Sequence, residues 1–210
     1  MTEDEYVKSI IDSLYDDLVR AQYDLAIWTT ARTESAEINP TIEKKLHSAE
    51  RFAGNCIGVF NHIDLIIQQD SVQTICRMLD KSKNVKSFYA LAKKAKFLDN
   101  TPNIEKFIKL EAKLRKSDNF KKLKHLRDEV LAHRSKNPRS STAHIKMVID
   151  CLEKLEELLS LSYLIFLKTS FRTRSGYDFA TKHAQNYWEL TFDVNFQTNP
   201  SSVIIPEAEI

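Results

Sequence analysis

EYVKSIIDSLYDDLVRAQYDLAIWTTART, residues 5–33, decides the fold. Val7, Ile11, Leu14, Leu18, Ala21, Leu25 and Trp28 recur in steps of four and three. An α-helix brings such positions onto one stripe, so the segment predicts a long amphipathic helix packed along partner helices. The composition agrees. Only 3 Gly and 5 Pro punctuate 210 residues, while 42% are hydrophobic and 29% charged. That balance suits long helices with solvated outer faces around a real core.

Working outward, Asn39-Pro40-Thr41 predicts a break, with Thr41 capping a second helix from Ile42 to about Ile67. Asp70-Ser71 reads as a further cap, ahead of Val72, Ile75, Cys76 and Leu79 on one face. A short helix is expected over 85–98, and Pro102 as a stop in the loop that follows. A basic helical region covers 104–135, divided near Ser117 with Asp118 or Asn119 capping the second piece, and ended by Pro138. A last long helix runs from Ser140–Thr142 to about Thr169, burying Ile145, Val148, Ile149, Leu152, Leu155, Leu159, Ser162 and Phe166. Phe192, Val194 and Phe196 alternate with polar residues in the manner of an edge strand. The expected organisation is a helical domain over 1–170 and an appendage over 171–210, with an irregular or β-like tail.

Cys56, Cys76 and Cys151 are odd in number and widely spaced, which fits reduced thiols in a cytosol. The acidic N-terminus does not resemble a signal peptide, and the strongly apolar stretch 158–167 is too short to span a bilayer. The expectation is a cytoplasmic protein with no membrane partner. There is no glycine-rich phosphate loop, no G-x-S-x-G and no H-E-x-x-H; His62-Ile63-Asp64 stands alone as a ligand pair. No metal and no cofactor are expected.

The chemistry concentrates in Leu126-Arg127-Asp128-Glu129-Val130-Leu131-Ala132-His133-Arg134. At about 100° per residue, Arg127 and Arg134 fall inside the arc of Phe120, Leu123, Leu126, Val130 and Leu131, and His133 falls on its edge. A charge on a packing face is costly unless it is paired or used. Either the Arg stem lies on the face and its head reaches water, or Arg127 and His133 turn toward an interface or cleft. Around them, residues 106–139 hold twelve Lys/Arg against four Asp/Glu. Such a face suits a polyanion such as RNA, with Lys121, Lys122, Lys124, Lys136 and Arg134 as phosphate contacts. The alternative is a solvated face balanced by acids such as Glu153, Glu156 and Glu157.

His near its ordinary pKa can act as acid or base at neutral pH, and an Arg fork matches phosphate. One of each is a thin set for RNA cleavage; a two-fold dimer would double it.

The spacing Arg127-x5-His133 resembles the R-x4-6-H motif of the HEPN superfamily. Three segments together resemble its AbiU-type abortive-infection branch: Tyr23-Asp24-Leu25-Ala26-Ile27-Trp28, Ile75-Cys76-Arg77-Met78-Leu79-Asp80 and 126–134. The resemblance implies an all-α antiparallel helical bundle that forms a homodimer with its motif helices together. It implies a metal-independent endoribonuclease of a bacterial defence or toxin–antitoxin system, with a possible cognate antitoxin protein as partner. His133 would then transfer protons, Arg127 would contact the phosphate, and Asp128 would orient a catalytic side chain. The alternative is a non-catalytic HEPN-like module that binds RNA or protein, with Arg127 paired to a carboxylate across the dimer.

Overall fold

The computed structural model describes residues 2–45, 65–128, 145–171 and 182, with side chains of the first helix described to Ile27. Among these residues the chain is all-α, with no strand. In chain order the helices are α1 (Glu3–Lys45), α2 (residues 65–78), α3 (Phe88–Ala95), α4 (Pro102–Lys116), α5 (Asp118–Leu126) and α6 (Ile145–Ser162). The strand-like stretch 192–196 lies outside the described residues, as does Cys56. No described helix is long and apolar enough to cross a membrane.

The opening stripe is the spine of the core. Val7, Ile11, Leu14, Leu18, Ala21 and Leu25 are all buried, joined by Ile10. They pack with Ile75 and Cys76 of α2, Leu79 just beyond it, Leu91 of α3, Phe107 of α4, Leu123 of α5 and Leu155 and Leu159 of α6 in one continuous cluster. Edge-to-face contacts from Phe107 to Phe88 and to Phe166 join α3, α4 and the end of α6 at centroid distances of 6.4 and 6.5 Å. The chain enters α1 through a reciprocal cap. The Thr2 N–H donates to Glu5 Oε2 at 2.7 Å, and the Glu5 N–H donates to Thr2 Oγ1 at 3.2 Å.

Five boundaries differ from the sequence expectations, each for a physical reason. The predicted break at Asn39-Pro40-Thr41 is absent: α1 runs through it to Lys45. An interior Pro removes one helical hydrogen bond and crowds a carbonyl, a local cost that a 43-residue helix absorbs. Asp70-Ser71 is no cap, because α2 is continuous there. Asp70 Oδ2 instead accepts from Arg20 Nε at 2.7 Å, tying α2 to α1. Arg77 of α2 clasps Asp17 in the same interface, and the two pairs together set α1 and α2 antiparallel.

Pro102 does not stop a helix; it opens α4. The first turn needs no N–H from that position, and Thr101 Oγ1 caps it by accepting from the Ile104 N–H at 3.4 Å. The division at Ser117 is present, but Ser117 itself caps α5, its Oγ accepting from the Phe120 N–H at 3.3 Å. Asn119 is engaged elsewhere, donating to Asp150 Oδ2 of α6 at 2.9 Å. The short helix 85–98 contracts to Phe88–Ala95 behind the cap Ser87.

Candidate phosphate-binding site at Arg127

α5 carries the site outward from the core. Phe120, Leu123 and Leu126 bury one face of it, while Lys121, Lys122, Lys124 and His125 are exposed on the other. Arg127 follows at the C-terminal end and is half-buried, as its place in the apolar arc requires. There the backbone widens into a π-type turn over residues 127–128, a feature frequent at functional sites. On a regular helix adjacent side chains diverge by about 100°. Here they meet: Arg127 Nε and Nη2 both reach Asp128 Oδ1, at 2.7 and 2.6 Å. Arg127 is thus paired within its own chain.

Asp128 occupies only the Nε/Nη2 edge of the guanidinium. A guanidinium has five N–H donors, and among the described residues no acceptor but Asp128 is hydrogen-bonded to it. Lys124, one turn earlier, is exposed beside it. Burial works against the charge on Arg127. The hydrogen bond to Asp128 and the negative groups around it outweigh that and hold its pKa above the ordinary value.

A residue without an assigned role in the sequence joins this site. Asp80, just beyond α2, and Arg127 lie in each other's electrostatic field. Burial tends to raise the Asp80 pKa, but hydrogen bonds from Ser82 and the charge of Arg127 prevail and lower it. Cys76, one turn earlier on α2, feels Arg127, Asp128, Lys124 and Asp80 together. Burial pushes its thiol pKa up to about 12, which makes it a packing residue and not a nucleophile. Cys151 on α6 is likewise buried, its pKa pushed up to about 12 by burial. The segment Ile75–Asp80 carried part of the family resemblance, and an acid at the C-terminal end of a helix was the readable signal.

The basic face is real but partly neutralised. Lys106 pairs with Glu157 at 2.9 Å, Lys109 with Glu105 at 3.1 Å and Lys121 with Asp118 at 3.4 Å. Among the described residues no carboxylate pairs with Lys113, Lys116, Lys122 or Lys124, and all four are exposed. Of the residues singled out in the sequence, the structure pairs Arg127 with Asp128 at the C-terminal end of α5, with Lys124 exposed three residues earlier and Lys122 exposed at the middle of that helix. Lys121 is on the same helix but is turned to Asp118. His133, Arg134 and Lys136 lie outside the described residues. Among the described residues no group of three or more His, Cys, Asp or Glu could hold a metal ion.

A model of one protein family, the HEPN family described as AbiU2, matches residues 6–189. That span takes in α1 to α6, the Arg127–Asp128 pair and the stretch that holds His133. No curated protein and no solved structure matches the chain.

Proposed function

We propose, from the premise that the chain belongs to the HEPN AbiU2 family, that it is a metal-independent endoribonuclease of a bacterial defence or toxin–antitoxin system, acting as a cytoplasmic homodimer. The observation that carries the reading is Arg127: half-buried on a π-type turn and paired with Asp128 through Nε and Nη2, with exposed Lys124 three residues earlier on α5. In this reading the other edge of the guanidinium takes a phosphate oxygen of RNA and stabilises the charge that builds as the 2′-oxygen attacks. Lys122 and Lys124, with Arg134 and Lys136, neutralise flanking phosphates. His133 moves the proton, accepting it from the 2′-hydroxyl or delivering it to the leaving 5′-oxygen. Two copies would supply two Arg and two His to one scissile phosphate, so each subunit needs the other. A cognate antitoxin would then act by covering this shared cleft.

The test is cleavage of RNA by purified protein in excess EDTA, comparing wild type with Arg127→Ala and His133→Ala and checking helicity by circular dichroism. The expected result is cleavage by the wild type and a loss of about 10²–10⁴-fold in His133→Ala at unchanged helicity. Equal cleavage by wild type and His133→Ala would refute the assignment.

A second reading draws on a specific observation, the complete engagement of the Nε/Nη2 edge by Asp128. There the chain is a non-catalytic module that binds RNA or a protein through its unpaired lysines, and Arg127–Asp128 is a structural pair. Binding of RNA without cleavage, unchanged in Arg127→Ala, favours it.

A further inference from the structure

Residues 86–98 carry four lysines and no acid. Lys94 is committed: it pairs with Glu3 and lies over the Tyr6 ring at 5.6 Å. Lys93 and Lys96 are exposed, and among the described residues no carboxylate pairs with either. Tyr89, Lys93, Lys96 and Phe97 follow at i, i+4, i+7 and i+8 along α3 and the turn that ends it, the spacing of one helical face. The Phe97 N–H donates to the Lys94 carbonyl at 3.0 Å, so the helical path reaches that residue. Phe97 is nonetheless 90% exposed, and its neighbour Leu98 is exposed as well.

The Tyr89 end of this stripe is built from two helices. Glu111 of α4 is buried and accepts from Arg115 Nε at 2.6 Å and from Arg115 Nη2 at 3.2 Å. That bidentate hold fixes the guanidinium, which lies 5.1 Å from the centroid of the Tyr89 ring. Lys93 Nζ lies 4.7 Å from the same centroid. Two like charges gathered at one ring repel; a buried acid and the ring itself hold them there. Lys116 follows Arg115 at the end of α4, exposed and without a carboxylate partner among the described residues.

We propose that this face of α3, with the end of α4, is a second binding surface, and that its occupant is single-stranded RNA. Phe97 stacks an unpaired base, Lys93, Lys96 and Lys116 neutralise phosphates, and Arg115 on Tyr89 is a fixed positive charge at the far end. At about 1.5 Å per residue the two rings stand about 12 Å apart along the helix, with the lysines between them. Charge complementarity narrows the occupant to a polyanion, and the exposed ring narrows it further. A single strand offers a flat base at every residue, whereas a duplex keeps its bases stacked inside. An anionic membrane draws on a row of apolar side chains, and this stripe offers it Phe97 and Leu98 alone. The inference deepens the ribonuclease reading by giving its substrate a contact outside α5; it rests on RNA as the ligand and not on cleavage.

The test is fluorescence anisotropy with a labelled 2′-O-methyl RNA of about 12 nucleotides, which binds but offers no 2′-hydroxyl for attack. The expected result is about tenfold weaker binding or more in Phe97→Ala, an equal loss in Phe97→Leu, and recovery in Phe97→Trp, because stacking needs a ring. Lys93→Ala with Lys96→Ala flattens the log–log salt dependence by about 1–1.5 units. The same sequence annealed as a duplex binds Phe97→Ala and wild type alike. All of these side chains are exposed, and circular dichroism checks that helicity is kept. Binding that depends on Phe97, in a wild type that cleaves no ordinary RNA, upholds the surface while the ribonuclease reading falls. Absence of binding by the wild type overturns the inference, as does binding that Phe97→Ala leaves unchanged. Binding to vesicles of phosphatidylcholine and phosphatidylserine that Phe97→Ala abolishes, with RNA binding untouched, assigns the face to a membrane and overturns it too.

Discussion

The α1–α2 interface holds a carboxyl pair whose titration the whole fold must feel. Asp24 of α1 hydrogen-bonds with Asp70 of α2, and Arg20 completes the group through Asp70 at 2.7 Å. Asp24 Oδ2 is buried with no hydrogen-bond partner. Burial, then the hydrogen bond and charge of Asp70, push the Asp24 pKa up to about 7 from 3.8, against the smaller pull of Arg20. A folded-state pKa above the unfolded one means that the folded protein binds the extra proton between those two values. Stability contributed by protonated Asp24 is therefore intact at the acid end and is lost as pH rises through about 7. Three units at about 1.36 kcal/mol each would give about 4 kcal/mol. Solvent screening of a partly exposed group reduces this to about 1–2 kcal/mol. In Asp24→Asn the amide donates to Asp70 as the protonated acid does and cannot ionise. Urea unfolding followed by circular dichroism at pH 5 and pH 8 reads the difference, and the histidines cancel between variants. The expected outcome is an Asn variant whose advantage is already present in part at pH 5, which lies above the ordinary 3.8, and is larger at pH 8 by about 1 kcal/mol. An Asn variant that is weaker at pH 8, or a difference equal at both pH values, would refute the reasoning.

Three further outcomes follow from single contacts. Arg115→Ala strands the carboxylate of Glu111, whose side chain is 3% exposed and takes two hydrogen bonds from Arg115 at 2.6 and 3.2 Å; a loss of about 3 kcal/mol in urea unfolding is expected, and less than about 1 would show that the pair is not desolvated. Ser117→Ala removes the cap of α5 and lowers stability by about 1 kcal/mol, checked by the same melts. Lys122→Ala with Lys124→Ala leaves the melting curve in place and flattens the salt dependence of RNA binding by about 1–2 units of log–log slope; an unchanged slope places the RNA elsewhere.

The fold was legible because its strongest signal is periodic. The stripe from Val7 to Leu25 is buried as its spacing requires, and so is the α6 face at Val148, Leu152, Leu155, Leu159 and Ser162. What the sequence misplaced were caps and stops, and in each case a residue with two possible uses took the other one. Asp70 could cap a helix or pair with Arg20, and tertiary contact decided for Arg20. Pro102 could end one helix or begin the next, and Thr101 before it decided for a beginning. Thr2-x-x-Glu5 shows the opposite case, a cap signal readable at the first helix and passed over.

The site divides along the same line. Arg127 was legible because charge conflicts with its place on an apolar arc, a property of one helix and its period. Its pairing with Asp128 was not, because the wheel sets successive side chains about 100° apart and does not report that the guanidinium turns back to its neighbour. Asp80 was still less accessible, since it stands 47 positions from Arg127 and no periodicity links the two. Local pattern reports what a residue costs where it stands; it does not report which distant residue meets that cost.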